Sequence, residues 1–171
     1  PATDVKYFPK DKDFTDTELA LKCARSLASD SFIVLVGGNG GRPDHFLGIY
    51  DTFSFDYRCD CWLCGEQLVF LLPEGYSLSA CSLKESDYIS IARLSNSLSG
   101  GSLVSKGLEW KPSPESKKGM VSLSNRICKE SGGSAEFYVK KGEFLIFLPL
   151  TANFCIRGSS KSQTGFLSSL I

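Results

Sequence analysis

The sequence predicts a mainly β protein, α+β by element count: an antiparallel β-sandwich or jelly roll of about ten strands with one N-terminal helix. Three observations carry this expectation. A single helix-start signal stands at Thr15-Asp16-Thr17-Glu18, the pattern of a capping box. From Ser31 onward, short apolar runs alternate with Gly, Ser, Pro and Asn, which is how strands and turns read. Glycine-rich stretches at Gly37 to Gly41, Gly100-Gly101 and Gly132-Gly133 suit tight connections where positive φ costs glycine little.

The helix is expected from Thr15 to about Ser29, with Phe14 and Leu19 as a hydrophobic staple and Ala20, Cys23, Ala24 and Leu27 as its buried stripe. Strands are expected near Phe32 to Val36, Phe46 to Tyr50, Gln67 to Leu72, Tyr76 to Cys81, Tyr88 to Leu94 and Leu103 to Trp110. Further strands are expected near Met120 to Cys128, Glu136 to Lys140, Glu143 to Leu150, Phe154 to Arg157 and Phe166 to Ile171. Many short strands at this spacing favour a sandwich, jelly roll or barrel over a doubly wound sheet. The segment Lys111 to Lys118 reads as a polar surface loop. A chain of 171 residues is the size of one ordinary domain. The expectation is a single domain, 1–171, with an arm and helix over 1–30 and the sandwich over 31–171.

Nineteen basic residues balance 19 acidic ones, so the long-range field that gathers nucleic acid is missing and no nucleic-acid partner is expected. Lys117-Lys118 is a small local basic patch. No apolar run reaches the roughly 20 residues needed to span a bilayer, so no membrane segment is expected. The chain begins with Pro1 and holds one Met, which reads as a piece of a longer product. Its seven cysteines form an odd set, and no Asn sits in a glycosylation pattern. Both lean towards an intracellular, reducing location.

The thiol cluster Cys59-x-Cys61-x-x-Cys64 has a spacing that allows sulfurs to converge on zinc, with Cys81 or His45 as a fourth ligand. The competing reading is a turn of small buried thiols around Trp62. His45 is the sole histidine, so a thiol nucleophile would have to pair with it. Its expected place on a strand, with Cys128 later in the chain, loosely resembles the permuted papain-like acyltransferases. The run Gly37-Gly38-Asn39-Gly40-Gly41-Arg42 comes after a strand and offers amides to a phosphate, but Pro43 is expected to lead into another strand instead of the helix such a site needs.

The last third carries a second resemblance. Gly132 to Phe147, with Glu136-Phe137-Tyr138-Val139-Lys140-Lys141-Gly142-Glu143 at its centre, and the closing Gln163-Thr164-Gly165-Phe166-Leu167 look like the last strands of tumour necrosis factor-type and complement-type globular heads. Pro73-Glu74-Gly75-Tyr76 resembles an earlier strand entry of the same domains. The resemblance covers residues 74–171. It implies an extracellular homotrimer whose axis is lined by Phe144, Ile146, Phe147 and Phe166.

The resulting expectation is a non-enzymatic β-sandwich module that binds a protein partner through its loops, with no cofactor, either as a homotrimeric receptor ligand or as a monomer. Two alternatives stay open. One is a zinc-stabilised intracellular or viral polyprotein module, the other a Cys–His thiol acyltransferase or peptidase using His45 and Cys128.

Overall fold

A computed structural model describes residue 5 and residues 7–94, 101–112, 119–158 and 162–165. Helix α1 (Asp16–Leu27) starts where the capping box places it. The Glu18 amide donates to Thr15 Oγ1 at 3.2 Å, and the Thr15 amide donates to Glu18 Oε2 at 2.7 Å, so two amides that the first helical turn leaves without partners are satisfied. In the last turn the Arg25 guanidinium donates to the Arg58 carbonyl at 2.6 Å and to Asp60 Oδ2 at 3.0 Å. Asp60 Oδ2 also accepts from the Ile33 amide at 2.8 Å. One carboxylate thus ties the end of α1 to the sheet.

Two sheets form the sandwich. The first runs β1 (Val34–Val36), β2 (Cys61–Cys64), β3 (Gln67–Leu72), β9 (Phe144–Pro149), β5 (Ile89–Arg93) and β7 (Gly119–Asn125). The second runs β11 (Ser162–Gly165), β10 (Asn153–Arg157), β4 (Ser77–Cys81), β8 (Ala135–Lys141) and β6 (Ser102–Lys106). All neighbours are antiparallel except β1 and β2, which are parallel with Val34 opposite Cys61. A parallel pair needs a crossover connection. Helix α2 (Pro43–Thr52) supplies it, so β1, α2 and β2 make a βαβ unit.

Burial explains two textures in the sequence. Strands β4 and β8 alternate between buried and exposed residues, as expected for a sheet wet on one side. Strands β3, β5 and β9 are buried along nearly their whole length, because both faces of the first sheet are covered. Leu68, Phe70, Leu72, Phe144 and Ile146 face Leu78, Phe137 and Val139 of the second sheet. Val69, Leu71 and Leu145 face Leu21 of α1 and Phe53 after α2, with Trp62 between. The molecule is therefore layered helices, sheet, sheet.

Several expectations change. Residues Phe46 to Tyr50, expected as a strand, lie in α2: Pro43 occupies the first turn, where its fixed φ and missing N–H are an advantage. Among the described residues two α-helices stand where one helix was expected, and β2, missed entirely, falls on the cysteine-rich stretch. The expected strand Leu103 to Trp110 breaks at Gly107, whose φ is +79° and where a Cβ would run into the Ser134 carbonyl. Beyond that break the chain leaves the second sheet and pairs with the end of the first through Leu108 and Ile127. Phe144 and Ile146 are fully buried in the core of one chain and cannot line an axis between copies. Phe147 packs under the helices. Phe166, the expected final strand at Phe166 to Ile171 and the patch Lys117-Lys118 lie outside the described residues.

Candidate functional site

The sharpest local construction is the turn between β1 and α2. Gly37 and Gly38 adopt φ of +104° and +80°, a region open mainly to glycine. A Cβ on Gly38 would run into the Ile49 side chain, so this residue is also where the loop presses on the helix. The Trp62 indole Nε1 donates to the Gly37 carbonyl at 2.7 Å. Phe46 packs on the same indole with ring centroids 5.1 Å apart. Gly38 alone is crowded in this run, since a Cβ at Gly37, Gly40 or Gly41 would meet nothing within 4 Å. The loop is thus pinned at its base and open at its tip.

The tip leads into the N-terminus of α2, where Arg42 is the N-cap and its side chain makes no capping hydrogen bond. Arg42 instead forms a two-pronged pair with Asp44, Nε to Oδ1 at 3.2 Å and Nη2 to Oδ2 at 2.5 Å. That hydrogen-bonded pairing holds the Asp44 carboxyl down to about 2. A glycine-rich turn from the C-terminal end of a parallel strand into an uncapped helix N-terminus presents amides and a helix dipole to an anion. Such crevices are where ligands bind in βαβ units. Asn39, Gly40, Gly41, Arg42 and Phe46 line a shallow open depression there.

A second construction stands at the opposite edge of the same sheet. Trp110 is 53% exposed, and the Arg126 guanidinium lies 5.2 Å from its ring centroid. Beneath it Asn125 is fully buried. The Asn125 Nδ2 donates to the Trp110 carbonyl at 2.7 Å, and its Oδ1 accepts from the Trp110 amide at 3.2 Å. An exposed aromatic on a fixed backbone is a platform for a flat or cationic ring. Sequence reading missed both Trp110 and Asn125, because a lone Trp at the end of a strand and a lone Asn carry no motif.

The expected site residues are dispersed. Cys61 belongs to the core between the sheets, whereas Cys59 and Cys64 pack on the helix side: Cys61 and Cys64, three apart on β2, take opposite faces by alternation, and Cys59 precedes the strand. Among the described residues no three His, Cys, Asp or Glu side chains converge as a metal site. Burial pushes the Cys59 thiol up to about 12 and raises Cys61 and Cys64 as well, away from the thiolate that binds metal or attacks carbonyls. No disulfide joins any of the seven cysteines. Cys81 is exposed on the outer face of the second sheet. His45 is exposed in the first turn of α2, while Cys128 lies just past β7 at the far edge of the first sheet. Five strand spacings of about 4.8 Å separate those edges, too far for a nucleophile and its base. Among the described residues no helix is long and apolar enough to cross a membrane.

Residues 2–60 match the family model described as thiamin pyrophosphokinase, catalytic domain. That match spans α1, β1, the glycine-rich turn and α2. The fold is similar to that of a thiamin pyrophosphokinase family protein from Enterococcus faecalis, with a TM-score of 0.62 at 19% identity over 83% of this chain and 66% of that one. It is also similar to thiamine pyrophosphokinase from Bacillus subtilis, with a TM-score of 0.58 at 21% identity over 81% of this chain and 64% of that one. For thiamin pyrophosphokinase from Candida albicans the TM-score is 0.51 at 20% identity, over 80% of this chain and 53% of that one. The chain thus spans between about half and two thirds of these structures. No curated protein matches it.

These findings correct the expected function. The family match and the structural neighbours are enzymes of thiamin, which overturns the resemblance to tumour necrosis factor-type heads. With it go the non-enzymatic protein-binding module, its protein partner, the homotrimer, the viral or zinc-stabilised alternative and the thiol acyltransferase. The physical reason lies in the corners that carried the resemblance. Pro73 to Tyr76 and Lys141 to Glu143 are the places where the chain passes between sheets, joined by the Gly142 amide donating to Glu74 Oε2 at 3.1 Å. Any two-sheet sandwich needs such corners. Glu143 serves the helical layer instead, in a two-pronged ion pair with Arg58.

Proposed function

We propose that this chain carries part of a diphosphoryl-transferring kinase that acts on thiamin. The observation that carries the reading is the glycine-rich turn between parallel strand β1 and the uncapped N-terminus of α2, within the segment that matches the catalytic domain. The amides of that turn and the dipole of α2 suit the phosphates of a nucleoside triphosphate. In the reaction the thiamin hydroxyl oxygen bonds to the β-phosphorus. The bond from that phosphorus to the oxygen bridging to the α-phosphate breaks, the nucleoside monophosphate leaves with that oxygen, and the hydroxyl proton passes to solvent. The chain's share is to position the phosphates and the acceptor. Among the described residues no three His, Cys, Asp or Glu side chains are gathered so as to hold a metal ion. The seven cysteines without a disulfide suit a reducing, intracellular setting.

Trp110 suits the acceptor, because each ring of thiamin is flat and its thiazolium is cationic. The loop and Trp110 lie at opposite edges of the first sheet, about 24 Å apart at roughly 4.8 Å per strand, more than one thiamin bridges. The reading therefore joins the loop of one copy to the platform of another.

Equilibrium binding of ATP to Gly40→Asp tests the reading. The position is open and its φ is ordinary, so the change adds a negative charge without a clash. Affinity for ATP should fall at least tenfold, roughly the Coulomb cost of a charge a few ångströms from phosphate, with thiamin binding unchanged. Unaltered ATP affinity would remove the phosphate site from the turn.

A further inference from the structure

Trp110 is held by more than ordinary strand pairing. The Asn125 side chain spends every donor and acceptor it has. Its Nδ2 donates to the Trp110 carbonyl at 2.7 Å and to Ser122 Oγ at 3.0 Å, and its Oδ1 accepts from the Trp110 amide at 3.2 Å and the Arg126 amide at 2.9 Å. A fully buried amide so engaged imitates a strand neighbour and fixes the backbone from which the indole projects. The chain leading to it is itself irregular. Ile89 pairs with Asn125 but Ile91 with Ser122, and Ala92 with Met120, so β7 carries one extra residue at each of two steps, and the first of these bulges re-aims the end of the strand. Ser124 in that bulge has φ of +53°, unfavourable for a side-chain-bearing residue. Its amide donates to the buried Ser90 Oγ at 3.1 Å, which holds the strained turn. Gly107, where a side chain would strike the Ser134 carbonyl, delivers the segment over residues 108–110, which carries Trp110, to the same spot.

We infer that Asn125 is a positioning residue: through the bulge at Ser124 it sets the exposed Trp110 ring at a fixed angle to receive a flat ring of thiamin, the cationic thiazolium above all. The inference rests on the reading of Trp110 as the acceptor platform. The chain has two tryptophans, of which Trp62 is buried and Trp110 exposed. Labelling with 5-fluorotryptophan therefore gives two ¹⁹F resonances, assigned with Trp110→Phe. Thiamin should shift the Trp110 resonance saturably in the wild-type protein. In Asn125→Ala the affinity for thiamin should fall about tenfold, the scale of a misaligned cation–π contact, while the Trp62 resonance keeps its folded position. Asn125→Asp, which keeps the shape and the Oδ1 acceptor but loses both donors, is the second variant and should weaken binding in the same direction. Trp110→Ala separates the two ideas. If it leaves thiamin affinity unchanged, the platform reading fails. If it abolishes binding while folded Asn125→Ala and Asn125→Asp bind thiamin as the wild type does, the platform stands and the positioning role is overturned.

Discussion

The indole Nε1 of Trp62, on β2, donates a 2.7 Å hydrogen bond to the carbonyl oxygen of Gly37, the first residue beyond β1. That bond crosses the parallel pair and fixes where the glycine-rich turn begins. Replacing Trp62 by Phe keeps an aromatic ring and removes the donor. The turn should then lose about 1 kcal/mol of restraint, seen as several-fold weaker ATP binding by calorimetry. Unchanged affinity would mean that the turn does not depend on this anchor.

Gly38 and Gly40 make a paired test of the same turn. A methyl on Gly38 meets Ile49 and demands an unfavourable φ, whereas one on Gly40 enters open space. Gly38→Ala should cost about 2 kcal/mol or more of stability in chemical unfolding. Gly40→Ala should cost almost none. Equal effects would show that the loop is not pinned at its base.

The buried thiols predict an alkaline limit. Burial raises Cys59 from its ordinary 9.0 to about 12 and raises Cys61 in the same direction. A raised value means that the native state favours the protonated form. This stability is whole below pH 9 and is lost as pH climbs towards 12, because the unfolded thiols ionise first. Unfolding midpoints should therefore fall across that window and fall less in Cys59→Ala. At pH 8 both thiols should react slowly with iodoacetamide, and rapid alkylation would contradict their placement.

Much of the fold is legible in the sequence, and the reasons differ by element. The capping box at Thr15 is local chemistry and reads directly. Strands β3, β5 and β9 of the first sheet are legible as continuous apolar runs, Gln67 to Leu72 above all, and their lack of alternation reflects cover on both faces, whereas β2 of the same sheet is hidden in the cysteine-rich stretch. Helix α2 is hidden because Phe46-Leu47-Gly48-Ile49-Tyr50 is apolar, aromatic and short, a strand's composition, and Pro43 reads as a breaker although it begins the helix. That one misreading conceals the site, since a glycine-rich turn invites a phosphate only when a helix comes next. Trp110 and Asn125 are hidden for another reason: their meeting depends on a sheet-switching glycine and a bulge, which no spacing displays.

If the loop and the platform of one active site come from different copies, two inactive variants should rescue each other. Gly40→Asp and Trp110→Ala are each expected to be inactive alone. Mixed and allowed to exchange subunits, they should recover up to about a quarter of wild-type turnover, as random pairing into dimers allows. No recovery in demonstrably mixed dimers would place both parts in one chain.

The most direct measurement tracks the fate of the phosphates. The protein is incubated with thiamin and ATP, and products are separated by chromatography over time. The account predicts thiamin diphosphate and AMP in equal amounts, lost together in Gly40→Asp. ADP with thiamin monophosphate, or ATP consumption without any thiamin product, would contradict it.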